Sequence, residues 1–148
     1  MTKLLLSLHV LAAIVAVGPV TVAAGMFPPA TRRLGADDPG GRGVAVLRTL
    51  HRICRVYAGL GILVPVFGLA TASSLGVLTE AWLVVAMVLT ALAAAVLVFA
   101  ILPAQAATLT APAATTPGRL GMVTGIFNLL WAVVVVLMIV RPGSTTGA

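Results

Sequence analysis

Charge is nearly missing from this chain: 8% of its 148 residues are Asp, Glu, Lys or Arg. A soluble globular domain carries about 25%. So few charges cannot coat a water-facing surface, which excludes an ordinary soluble domain and a disordered chain. Cysteine is scarcer still. Cys54 alone excludes an intrachain disulfide and any multi-cysteine metal or iron–sulfur centre. Carboxylates number three, Asp37, Asp38 and Glu80, and all fall outside the apolar segments. A cation- or proton-coupled transporter needs such a group at mid-membrane, so coupled transport is not expected. No Ser/His/Asp or paired-carboxylate set is available for hydrolysis. Nucleic acid is excluded despite a pI near 11.5, because the nine basic residues are dispersed among apolar runs.

What the chain has in excess is hydrocarbon: 61% hydrophobic residues and a mean hydropathy of +1.19. Four apolar segments stand out, at about 4–26, 53–74, 81–102 and 120–140. Each is long enough to cross a bilayer, which takes about 20 residues. Each must be helical to satisfy its own backbone in lipid. The expected fold is therefore all-α, a single-domain, multi-pass antiparallel bundle of four transmembrane helices. Pro28, Pro29 and the Asp38-Pro39-Gly40-Gly41 run mark a polar first connection, from Phe27 to about Gly43. The third connection, from Pro103 to Gly118, shows no periodic pattern. Pro19 and Pro65 are expected to kink their helices.

Arg32, Arg33, Arg42, Arg48, Arg52, Arg55 and Arg119 gather on one side of these spans, Lys3 and Arg141 on the other. The positive-inside rule then gives an N-out, C-out topology in a bacterial plasma membrane. A competing reading takes residues 3–24 as a signal peptide cleaved after Ala24. Cleavage would carry six arginines outward, against the charge rule.

Small residues line one face of each span, the usual contact surface between membrane helices. They include Ala12, Ala16 and Ala23, then Gly61 and Gly68, then Ala86 and Ala93, then Gly121 and Gly125 with Asn128. Gly121 and Gly125 make a GxxxG spacing, expected to pack within the chain, and Asn128 is expected to bond a neighbouring helix. Trp82 falls at the outer interface; Trp131 lies deeper.

Arg48, His51, Arg52 and Arg55 share one face of a basic amphipathic segment at about 44–55, opposite Leu47, Leu50 and Cys54. That face suits anionic lipid head groups on the cytoplasmic side, or another anionic ligand. Within the spans, His9 is the one strongly ionisable group. It is either a functional residue or a neutral histidine bonded to the next helix. His9 and His51 lie on the order of 20 Å apart in depth at about 1.5 Å per residue, too far to share a metal. Met87 and Met138 fall near the depth of His9, and imidazole with thioether would suit haem iron or copper.

LLSLHVLAAIVAV (Leu5–Val17), LRTLHRICRVYAGLGILVPVFGLATA (Leu47–Ala72) and the closing VVVVLMIVRPG together resemble bacterial four-helix membrane proteins of the copper-resistance D and HemJ-type superfamily. Nearest in look is a family of integral membrane proteins of unknown function. The resemblance nominates His9 as a ligand of haem b, with Met87 as a second axial candidate. HemJ-type enzymes carry a lysine in the third span; Trp82–Val96 here has none, which argues against protoporphyrinogen oxidation. Two functions follow as expectations. One is a non-catalytic accessory or scaffold bundle, with other membrane subunits or further copies as partners. The other is a haem- or copper-binding redox protein that uses His9.

Overall fold

Ala, Leu and Val runs without internal charge favour helices that close every backbone hydrogen bond internally, and helices are what form. The computed structural model describes residues 1–34, 41–111 and 115–143, so Asp37 and Asp38 lie outside the described residues. Its helices are α1 (Thr2–Arg32), α2 (Arg42–Leu60), α3 (Leu63–Leu75), α4 (Ala81–Val96), α5 (Leu102–Thr110) and α6 (Pro117–Val140). A π-helical turn, Leu97–Ile101, joins α4 to α5. Four spans result, each long and apolar enough to cross a membrane: Thr2–Arg32, Arg42–Leu75, Ala81–Thr110 and Pro117–Val140. The chain is an all-α membrane protein with a four-helix bundle fold.

α1 packs along both α2 and α3 and also meets α6, α6 packs on α4, and α5 returns to α2. The spans therefore form a ring in the order second, first, fourth, third. Outward surfaces are apolar: Ile14, Val22, Phe99, Leu129 and Ile139 are all well exposed. The main core lies toward the arginine-rich end, where Phe27, Leu47, Cys54, Ile101, Leu120 and Phe127 are buried together. A smaller cluster of Ala72, Trp82 and Leu83 closes the other end, with Met138 and Val77 packed against it. There the Arg141 guanidinium lies 5.6 Å from the centre of the Trp82 ring system.

Two boundaries differ from those expected. α1 does not stop before Pro28 but runs to Arg32. Phe27 and Pro28 are buried, and the Thr31 hydroxyl adds a hydrogen bond to the Phe27 carbonyl at 3.0 Å in the last turn. Pro19 likewise leaves the helix unbroken. The third span does not end at Leu102, and the tract after it is not a loop. Pro103 lacks an N–H and its ring would press on the Phe99 carbonyl of a regular helix. The wide turn just before it, closed by the Leu102 N–H on the Leu97 carbonyl, re-routes the chain and lets α5 continue to Thr110.

Pro65 acts more strongly. It cannot donate to the Gly61 carbonyl, and the second span divides into α2 and α3 at Gly61–Ile62. The Val64 N–H takes the Gly61 carbonyl instead, at 3.1 Å, in a tighter turn. A Cβ on Gly61 would stand 3.1 Å from the Ala58 carbonyl oxygen of the preceding turn. Gly61 thus relieves the chain's own break, not a contact with another helix.

Candidate functional site

His9, in the second turn of α1, is half-buried and faces α3. Its Nδ1 lies 2.9 Å from the Val64 carbonyl oxygen. A carbonyl can only accept, so Nδ1 carries the hydrogen, and in the neutral ring Nε2 keeps its lone pair. The ring rests on Gly68: a Cβ there would stand 2.9 Å from Cε1 and 3.2 Å from Nδ1. Gly68 is the glycine whose missing side chain admits a neighbouring group. The backbone break before α3 and the glycine within it together form the seat for the imidazole.

Met87 is carried by α4, which packs on α6, whereas His9 is bonded to α3. The described contacts do not bring the two side chains together. Met138 belongs to the cluster around Trp82. Among the described residues there is no group of three or more His, Cys, Asp and Glu able to hold a metal ion.

The second polar centre lies at the arginine-rich end. Arg48, Arg52 and Arg55 are exposed on α2, and Leu47, Leu50 and Cys54 are buried on its other side. His51 parts company with the arginines. Its Nδ1 is 3.1 Å from Gln105 Oε1 on α5, and Gln105 Nε2 donates to Cys54 Sγ at 3.6 Å. Gln105 is 0% exposed, so each of its polar atoms is matched inside the protein. A hydrogen-bonded relay His51–Gln105–Cys54 therefore ties the basic entry of the second span to the end of the third. Thr108, one turn beyond Gln105, bonds the Ala104 carbonyl at 2.8 Å and contacts the Thr115 hydroxyl, drawing the next connection in.

Gln105 and Thr108 were invisible to a hydropathy reading because they follow Pro103 in a polar tract. Their spacing carried a signal: Ile101, Gln105 and Thr108 fall at i, i+4 and i+7, one helical face, and all three are buried.

The last span departs from expectation. A Cβ on Gly121 or Gly125 would meet nothing within 4 Å, so this GxxxG is not a close contact inside the chain. Leu120, Thr124, Phe127 and Val134 are the residues α6 turns inward. Among the described residues Asn128 Oδ1 is buried without a partner, as are Thr124 Oγ1 and Trp131 Nε1. Trp131 packs edge-on to Phe127 with ring centres 6.4 Å apart.

The arrangement can hold helices in register through two polar ties, and it presents one imidazole nitrogen with a free lone pair. Comparison of the chain with protein-family models, curated proteins and solved structures finds no match in any of the three.

Proposed function

We propose that this protein is a non-catalytic membrane bundle, an accessory or scaffold for other membrane subunits or for further copies of itself. One observation carries the reading: each histidine uses its Nδ1 to tie two helices, His9 to the Val64 carbonyl and His51 to Gln105. Side chains that would otherwise be the best chemical groups of the chain act as ties between helices. The protein sits in a bacterial plasma membrane with both termini outside, the arginines meeting anionic lipids on the cytoplasmic side. A Lys3→Cys variant should then react with an impermeant thiol reagent in intact cells. The accessory role is tested by tagging the protein and isolating it in mild detergent. A co-purifying membrane protein or a defined homo-oligomer supports it. A stable monomer that retains nothing overturns it.

A second reading, a haem b- or copper-binding redox protein, is favoured by the His9 tautomer. A metal-bound histidine characteristically donates its other ring N–H to a carbonyl or carboxylate, and His9 Nδ1 does so to Val64. On this reading His9 would supply one ligand, with Met87 of α4 as the second candidate. The visible spectrum of the purified protein and of His9→Ala decides: no Soret band and no stoichiometric metal ends this reading.

A further inference from the structure

At the arginine-rich end, a crevice of about 430 Å³ runs between α1 and α2. Met26, Pro29, Ala30 and Arg33 form one wall, Val46 and Leu50 the other. The spacings are those of neighbouring turns, so two helical ridges flank a single trough. From Met26 to Arg33 it extends about 10 Å along the axis, at 1.5 Å per residue. Met26 and Val46 are about half exposed, while Leu50 forms the floor.

The walls are apolar except at one place, the mouth, where Arg33 stands. Arg32 and Arg42 are exposed at the same end. Glu80 is the one acidic side chain among the described residues, and it caps α4 at the opposite end of the bundle. The trough thus joins a cationic rim to a hydrocarbon bed that leads toward the middle of the bilayer. That is the complement of a molecule with an anionic head and an aliphatic tail.

We infer that this crevice binds an anionic phospholipid, its phosphate at Arg33 and one acyl chain laid past Val46 over Leu50 to Met26. The site is separate from the exposed face of Arg48, Arg52 and Arg55. It rests on the membrane location of the spans and not on the accessory role.

Native mass spectrometry of the full-length protein tests it, with phosphatidylglycerol, phosphatidylcholine and inorganic phosphate as probes. The wild type should retain one phosphatidylglycerol in preference to phosphatidylcholine. Arg33→Gln should lose about fivefold of that preference, the effect of one interfacial arginine. Val46→Trp fills the trough and should release both lipids; Met26→Trp does the same from the other wall if the first variant misfolds. Lys3→Gln, at the opposite end of the bundle, should retain the lipid as the wild type does. Equal retention of the two lipids by the wild type overturns the inference, and so does wild-type retention by the Arg33 and Trp variants. Displacement by inorganic phosphate alone, or a dimer that the Trp variants dissolve, would also overturn it by naming a different occupant.

Discussion

His51 Nδ1 donates across 3.1 Å to Gln105 Oε1, although 54 residues separate them, and this bond fastens α2 to α5. It is formed where the main core is densest, next to buried Cys54. A polar group stranded in such a place costs about 1–3 kcal/mol, and His51 is only half-buried, which puts the effect at the low end. Gln105→Leu should therefore lower stability by about 1 kcal/mol, read as a shift in thermal or denaturant unfolding in detergent. A double-mutant cycle with His51→Ala should return a coupling near 0.6 kcal/mol, the average for interhelical bonds in a bilayer. A coupling of zero would show that the bond contributes nothing.

Gly68→Ala brings a Cβ to within 2.9 Å of the His9 ring, and the ring must shift off its Val64 bond. Overpacking of this kind costs about 1–3 kcal/mol. Combining it with His9→Ala removes the obstacle, so the double variant should be more stable than the sum of the single effects. Strict additivity would contradict the contact.

Gly125 has open space where its side chain would be. In a monomer, Gly125→Ala should leave unfolding within about 0.5 kcal/mol of the parent, or raise stability through helix propensity. Should the same variant instead dissociate an oligomer in detergent, seen by light scattering, the glycine face would be an interface between copies.

Cys54 is 0% exposed and accepts a hydrogen bond from Gln105. A membrane-permeant maleimide should leave it unmodified in the folded protein and alkylate it once the protein is unfolded in dodecyl sulfate. Gln105→Leu, by loosening α5 from α2, should speed the reaction in the folded state.

The four spans were legible because hydropathy and length are strong signals and no carboxylate interrupts them. Helix ends were less so. Pro28, Pro29 and Pro103 read as stops in water, where a freed carbonyl can turn to solvent. Inside a bundle the helix continues, and at Pro103 a wide turn over Leu97–Ile101 absorbs the defect. His51 shows a second limit. Spacing assigned it to the face of Arg48, Arg52 and Arg55, but a face has edges, and only packing against α5 reveals that this residue sits on one. Gly61, Gly68, Gly121 and Gly125 look alike in sequence and differ in use: Gly61 serves a backbone break, Gly68 an imidazole, and Gly121 and Gly125 no contact within the chain. The His9 candidate was legible as a choice between ligand and tie. The Val64 bond gives the tie a concrete partner and leaves one nitrogen for the other.

The break at Gly61–Ile62 means that one transmembrane crossing consists of two rods, each gripped separately by α1. An uninterrupted span opens and closes as one cooperative unit, whereas a divided one can release α3 while α2 stays docked. Amide exchange should then divide at Gly61, slow through α2 against the main core and faster through α3. The His9 bond to Val64 is then a latch on α3, and His9→Ala should quicken exchange there first.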